Sequence, residues 1–132
     1  MKLAQNCKQG GSNIYQTLLI LTDGEIHDMD RTIDLVIQAA NLPLSIIIVG
    51  IGSANFDNMN RLDGDNGLYS SNGVRCARDI VQFVPFAEYS NNVDALAAEV
   101  LKEIPVQLNA YFKTTPQFNQ ILQQIENRDK MQ

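Results

Sequence analysis

The stretch over residues 15–24, YQTLLILTDG, constrains the fold of this chain more than any other. Residues 18–21 form an unbroken apolar run, which is typical of a parallel strand that is covered on both faces. A second apolar run, LSIIIVG over residues 44–50, follows after one helical segment. The order strand, helix, strand predicts a right-handed βαβ unit of a parallel α/β sheet.

Asp23 stands where the first predicted strand ends. A carboxylate at the carboxyl end of a parallel strand points into the crevice where open α/β sheets bind ligands. One interpretation of Asp23 is a ligand for a hard divalent cation, and the other is a helix-entry aspartate that accepts hydrogen bonds from backbone N–H groups. Glu25, Asp28 and Asp30 add negative charge nearby, which suits a cation but also complements a helix dipole. The pattern leaves both interpretations open.

Further apolar periodicity predicts the remaining elements. A helix is expected over about 28–41, with Asp28 as its N-cap and one buried face. That face comprises Ile33, Val36, Ile37 and Ala40. A short helix is expected over 56–62, and a third strand, IVQFV, over 80–84 before Pro85.

The carboxyl-terminal third of the chain has a helical pattern. A long helix is predicted over 92–112, capped by Asn91 or Asn92, and Pro105 is expected to kink this helix rather than necessarily end it. After Pro116 a short amphipathic segment follows, which would pack onto its own chain or a neighbouring one, or bind a partner.

Two loop motifs resemble ligand-binding loops but fail on spacing. The run GIGS after the second strand is half of a phosphate-binding loop, but Phe56 stands near where the third glycine is needed, so a tight strand exit is predicted. The run DGDNG over 63–67 lacks the ligands of an EF-hand at Gly67 and Val74. Its Asn66-Gly67 pair and the later Asn72-Gly73 pair are interpreted as turns.

Composition excludes several classes of function. The chain has 132 residues and a net charge of −5, so it fits one domain and has no basic stripe for nucleic acid or anionic lipid. No apolar run spans a bilayer and no signal peptide is evident, so a cytoplasmic location is expected. Cys7 and Cys76 are expected to be reduced thiols, and the single histidine, His27, has no nucleophile beside it. Catalysis is therefore not predicted.

Three blocks in order resemble the von Willebrand factor A-type domain of the copines. They are LLILTDG through LPLSIIIVGIG, then DGDNG, then ARDIVQFVPF, and the resemblance runs over about 15–112. It implies a partial von Willebrand A-type, Rossmann-like, doubly wound parallel α/β sheet of about three strands (15–22, 44–50, 80–84) with flanking helices. The chain then divides into an N-terminal segment 1–14, the carboxyl-terminal half of the domain over 15–115, and a tail over 116–132.

The resemblance also implies a function. Copines are calcium-dependent phospholipid-binding proteins in which two C2 domains contact the membrane and the A-type domain recruits protein targets. The similar copine-like domain of RING-type ubiquitin ligases, which would bind substrate, is the alternative. Under both alternatives this chain is expected not to be an enzyme by itself, and the full-length protein is expected to be cytoplasmic. If the protein is a copine, calcium would recruit it to membranes.

The metal-ion-dependent adhesion site of such domains is only partly represented here. Of its ligands, the acid-x-hydroxyl-x-hydroxyl motif and a threonine are absent, and only the aspartate of the LTDG loop is present, as Asp23. The intact domain would bind Mg²⁺ or Ca²⁺. This chain should bind these ions weakly or not at all, because one carboxylate supplies too few oxygen ligands.

The missing half of the domain would also include the strand that pairs with residues 15–22. That edge contains no lysine or proline, so it should be a template for pairing with another chain. A homo-oligomer is expected through the 15–22 edge or through an exchanged carboxyl-terminal helix, unless a separate chain supplies the absent half.

Overall fold

The computed structural model describes residues 1–9, 14–64 and 67–131. Of Cys7 and Gln9 it describes the backbone and not the side chain. Within these residues the strands are β1 (Gln16–Thr22), β2 (Leu44–Gly50) and β3 (Val81–Pro85). The helices are α1 (Lys2–Gln9), α2 (Met29–Ala39), α3 (Asp57–Asp63), α4 (Val93–Leu101), α5 (Ile104–Phe112) and α6 (Pro116–Lys130), with a 3₁₀ helix at Phe86–Tyr89.

The strands form one parallel sheet in the order β1-β2-β3. Thr22 pairs with Gly50, and Gly50 with Pro85, so the carboxyl ends of all three strands lie at the same level. This arrangement confirms the predicted α/β class and the three predicted strands, each to within one residue at its ends. It is consistent with part of a von Willebrand A-type fold.

The core surrounds β2. Six of its seven residues are buried, because helices cover both of its faces. On one face, Ile33 of α2 and Leu62 of α3 join Ile48 in the apolar core. On the other face, the Ser45 hydroxyl donates a hydrogen bond to Gln107 of α5. The predicted buried face of α2 is thus confirmed, since Ile33, Val36 and Ala40 are buried and Ile37 is partly buried against them.

Strand β1 differs from the prediction that its apolar run is covered on both faces. Its side chains from Leu18 to Leu21 are 38–64% exposed. The reason is position: β1 lies at the edge of the sheet and pairs only with β2. Helices α4 and α5 pack mainly against β3 and β2. Among the described residues no further strand pairs with the outer edge of β1, as was expected for residues 15–22.

The predicted long helix over 92–112 is wrong in one respect, because it is two helices. Helix α4 ends at Leu101 and α5 begins at Ile104, with Pro105 in its first turn. Proline has no N–H to donate to the carbonyl of the preceding turn and its ring crowds that carbonyl, so the helix restarts here. The predicted cap is confirmed, since the Ala95 N–H donates to the Asn92 side chain at 3.0 Å.

The two ends of the chain are more helical than the sequence pattern indicated. Residues 2–9, for which no helix was predicted, form α1, whose Ala4 is buried and whose Lys8 donates to the Asn41 carbonyl oxygen at 2.8 Å. Helix α6 extends the predicted short segment to 15 residues, none of them buried. Ile121, Leu122 and Ile125 form an exposed apolar stripe on it. None of the described helices combines the length and apolar character that crossing a bilayer demands.

Candidate functional site

The carboxyl ends of the three strands form a rim, which we define as Asp23, Glu25, Ile51, Phe86 and Glu88. The loops that carry these residues start side by side, because Thr22, Gly50 and Pro85 are in register. The Ile51 N–H donates to the Thr22 carbonyl oxygen at 2.8 Å and so extends the ladder by one residue. In open parallel sheets this end is where ligands bind.

Asp23 follows β1 directly, at the position predicted, and its side chain is exposed. The helix-capping role that was its alternative interpretation belongs to Asp28, whose carboxylate accepts from the Arg31 N–H at 3.3 Å. The neighbouring Gly24 N–H donates instead to the Thr22 hydroxyl at 3.3 Å. Among the described residues, no backbone N–H is seen to donate to the Asp23 carboxylate.

The other acids near Asp23 do not complete a metal site with it. Glu25, Asp28 and Asp30 are all exposed, as is His27. In the part of the chain that the structure describes, Asp23 belongs to no group of three acidic, histidine or cysteine side chains close enough to share an ion. Since Mg²⁺ takes six oxygen ligands and Ca²⁺ six to eight, these residues alone do not fit a firm cation site.

The loop after β2 is shaped by an aromatic ring. A Cβ atom on Gly50 would lie 2.8 Å from the ring of Phe56, which packs against Phe83 with ring centroids 5.3 Å apart. Gly52 turns the chain with φ of +88°. Phe56 therefore fills the space over the end of β2, and the loop is the tight strand exit that its spacing predicted.

Two exposed apolar side chains stand on the rim. Ile51 is 42% exposed and Phe86 is 38% exposed, and each follows the last residue of its strand. Because Gly50 pairs with Pro85, these two residues follow adjacent strands, and the exposed carboxylates of Asp23 and Glu88 lie on the same rim. Sequence reasoning missed both residues; the available signal was an apolar residue placed just after a strand-ending glycine or proline.

Two aspartates away from the rim accept hydrogen bonds from the outer edge of β3. The Phe83 N–H donates to Asp63 at 2.9 Å and the Val81 N–H donates to Asp79 at 3.2 Å. Among the described residues, Glu103 joins these two aspartates in a group of three carboxylates, in which one oxygen atom of each lies within 4.8 Å of the others. Because the two aspartates are bound to backbone donors, their evident role is to cap the strand.

Arg78 forms the densest polar network that the structure describes. Its guanidinium donates to the carbonyl oxygens of Ala40, Leu42, Leu44 and Gln107 at 2.6–3.2 Å. It also donates to the Tyr15 hydroxyl at 3.0 Å and lies over the rings of Tyr15 and Tyr111. The network joins the entry to β1, the turn between α2 and β2, and α5. Because this network lies at the opposite end of the sheet from Asp23 and binds mainly backbone carbonyl groups, its role is structural.

Cys76 lies beside this network and is not set up as a nucleophile. Its thiol donates to the Arg78 carbonyl oxygen at 3.1 Å, and burial raises the pKa of the thiol above its usual value. The thiolate is therefore disfavoured at neutral pH. Cys76 is a free cysteine, as expected, and the side chain of Cys7 lies outside the described part of the chain.

Comparison with known proteins gives one family. The family model described as Copine matches residues 1–120. Among the similar proteins of Dictyostelium discoideum, Copine-C is 63% identical over 101 residues, which is 76% of this chain and 19% of that protein. Copine-A is 58% identical over 99 residues (75% of this chain, 16% of that protein), and Copine-B 59% over 100 (74% and 19%). The chain thus spans less than a fifth of the length of these relatives. This chain belongs to the copine family.

Proposed function

We propose that this chain is part of a calcium-dependent phospholipid-binding copine, in which it acts as a protein-interaction module that recruits targets to membranes. The observation that carries the proposal is identity of about 60% to proteins named copines over three quarters of the chain. Lipid binding is assigned to C2 domains outside this chain, and the full-length protein is cytoplasmic until calcium recruits it. The chain itself performs no catalysis.

The surface chemistry supports a protein partner rather than a lipid or nucleic acid. The net charge is −5, so the chain as a whole would be repelled by an anionic membrane and by phosphates. The rim combines two exposed apolar side chains, Ile51 and Phe86, with carboxylates. Apolar anchors surrounded by charged groups are the usual anatomy of a protein-binding patch.

The alternative is the substrate-binding domain of a RING-type ubiquitin ligase. The relatives reported above are named copines, which favours the first proposal. The full-length gene product distinguishes the two, because a copine would carry C2 domains and the ligase a RING finger.

The recruiting role can be tested with rim variants. The double variant Ile51→Asp/Phe86→Asp should lose a defined set of partner proteins in proximity labelling of cells that express the tagged chain. The matched control is Val93→Asp/Val106→Asp, because these valines are 76% and 69% exposed but lie on α4 and α5. An identical partner set for the rim variant and the wild-type chain would contradict the proposed binding face.

The assignment of lipid binding can be tested on the chain by itself. Vesicles of phosphatidylcholine and phosphatidylserine are sedimented with the chain in Ca²⁺ or in a chelator. The chain should stay in the supernatant under both conditions. Calcium-dependent sedimentation of this chain would show that it binds lipid directly.

Metal binding at Asp23 should be weak. We expect Mg²⁺ and Ca²⁺ to bind this chain with dissociation constants of about 10⁻³ M or weaker, because among the described residues Asp23 belongs to no group of three side chains close enough to share an ion. Isothermal titration of the wild-type chain and of Asp23→Ala is the measurement, with Asp30→Ala as the control for general acidity. Submicromolar binding that disappears in Asp23→Ala alone would refute this expectation.

A further inference from the structure

Thr115 is the one hydroxyl-bearing residue of this chain that a proline follows directly. The prolines at the other three positions follow Leu42, Val84 and Ile104. Thr115 lies between α5 and α6, as the N-cap residue of α6, and Pro116 begins that helix. A threonine followed by proline is the sequence that proline-directed protein kinases phosphorylate. The junction between α5 and α6 therefore carries a candidate site of covalent modification.

The backbone at Thr115 has the conformation of a bound kinase substrate. Its φ of −87° and ψ of 144° are extended, as is usual before proline. Kinases hold the acceptor segment as an extended chain in their cleft. A pocket that offers no acceptor for the next backbone N–H selects proline, because any other residue would bury that donor unpaired. Thr115 and Pro116 meet both requirements in the folded chain.

The segment around Thr115 is accessible. The residues on either side, 113–114 and 116–117, are exposed, and Thr115 itself is partly exposed. None of the residues of α6 is buried, so its first turn can open without uncovering the core. The first hydrogen bond of that turn is long, since the Asn119 N–H donates to the Thr115 carbonyl oxygen at 3.4 Å. A kinase can therefore engage the start of α6 at little cost in structure.

The surroundings of Thr115 suit a phosphate group. Thr115 lines a cavity of about 700 Å³ together with Lys8 and Arg78, and none of the described residues that line this cavity is acidic. The Lys8 ammonium donates to the Asn41 carbonyl oxygen at 2.8 Å and retains further N–H donors for an anion. A phosphate carries about 1.5–2 negative charges at neutral pH and pairs with such cations.

Phosphorylation would replace a hydrogen-bond donor with an anion. The Thr115 hydroxyl donates to the Phe112 carbonyl oxygen at 2.7 Å, at the end of α5. Transfer of the γ-phosphoryl group of ATP forms a bond from the Thr115 oxygen to phosphorus and breaks the bond from that phosphorus to the oxygen that leaves with ADP. The hydroxyl proton passes to the catalytic aspartate of the kinase. The esterified oxygen can no longer donate, and the carbonyl end of α5 repels the phosphate.

We propose that Thr115 is the residue at which a proline-directed kinase phosphorylates this chain. Three independent observations support the site: the Thr115-Pro116 pair, its extended and accessible backbone, and the cationic cavity beside it. The proposal does not depend on which face of the chain binds protein targets.

The first test uses the purified chain, an activated mitogen-activated protein kinase and Mg²⁺-ATP. Mass spectrometry of the wild-type chain should show one added phosphate, and fragmentation should place it on Thr115. Thr115→Val and Pro116→Ala should lose this phosphate, whereas Thr114→Val, at the adjacent hydroxyl, should keep it. Phosphate on Thr114 or on another hydroxyl overturns the proposal. So does an unmodified chain when the same kinase phosphorylates a peptide of residues 109–122, because the folded junction would then be inaccessible.

The second test measures use of the site in cells. Trypsin cuts after Lys113 and Arg128, so the peptide of residues 114–128 carries Thr114 and Thr115 as its only hydroxyl side chains. The tagged chain, recovered with phosphatase inhibitors, should yield this peptide phosphorylated on Thr115, and an inhibitor of proline-directed kinases should abolish the signal. Phosphate that persists under the inhibitor overturns the proposal. A peptide found only unmodified, both in growing cells and after osmotic stress that activates these kinases, also overturns it.

Discussion

Replacing Arg78 with alanine is expected to lower the free energy of unfolding by about 3–5 kcal/mol. The guanidinium donates to four carbonyl oxygens and to the Tyr15 hydroxyl. Three of those carbonyls belong to Ala40, Leu42 and Leu44, which are 2–8% exposed, so water cannot readily replace the lost donor. A buried acceptor left without a partner costs about 1–3 kcal/mol, and several are created at once.

The loss would extend through the side chains bonded to Tyr15. The Ser45 hydroxyl donates to Gln107, so the Tyr15 hydroxyl, 2.7 Å from the Ser45 oxygen, is the donor of that pair while it accepts from Arg78. This chain of donors ties β1, β2 and α5 together. Removing Arg78 therefore loosens three elements rather than one loop.

Urea unfolding at a fixed protein concentration measures the effect, since association would also shift the apparent stability. Arg78→Lys is the conservative control and should recover only part of the loss, because an ammonium has three donors and no planar fork. Arg75→Ala removes an exposed arginine three residues earlier and should change stability by less than about 0.5 kcal/mol. Equal effects of Arg75→Ala and Arg78→Ala would rule out the proposed role of the network.

Replacing Ile33 with alanine should destabilise the chain by about 2–5 kcal/mol. Ile33 is 2% exposed, on the face of α2 that packs against the sheet, and it belongs to the apolar core. Removing three carbons leaves a cavity that β2 cannot fill without moving. Small domains are stable by only about 5–15 kcal/mol, so this change alone can leave a substantial unfolded fraction at 37 °C.

Ile121→Ala is the matched control for this substitution. Both isoleucines lie within helices, α2 and α6, so the change in helix propensity is the same, but Ile121 is 54% exposed. Its replacement should alter the free energy of unfolding by less than about 0.5 kcal/mol. Thermal unfolding followed by circular dichroism compares the two. A loss at position 121 as large as that at 33 would mean that α6 is packed in solution.

Most of the helices and strands could be predicted from the sequence, because they depend on the local pattern of apolar and polar residues. Continuous apolar runs located β1, β2 and β3 to within one residue, and helical periodicity located the buried face of α2. Asp28 and Asn92 were identified as caps because a short polar side chain before an apolar periodic run can accept from the first free N–H groups. The position of Asp23 at the end of β1 followed from the same boundary.

The sequence could not determine what covers an apolar run. Leu18–Leu21 and the core of β2 have the same character along the chain, yet one is an exposed edge and the other is buried. Burial depends on neighbours that are distant in sequence, and periodicity carries no information about them. The sequence-based prediction of an open edge at 15–22 came from the family resemblance instead.

Long-range polar contacts were likewise decided only in three dimensions. Arg78 is 38 residues from Ala40 and 63 from Tyr15, and no spacing rule connects them. Asp63 caps Phe83 across 20 residues. Pro105 indicated an interruption of the helix, but the degree of interruption depended on how α4 and α5 pack on different strands. The sequence by itself determined which segments are strands and helices, because those preferences are local. Only the tertiary structure decided which of their polar groups are satisfied and which apolar runs are buried, because both depend on residues that are distant in sequence.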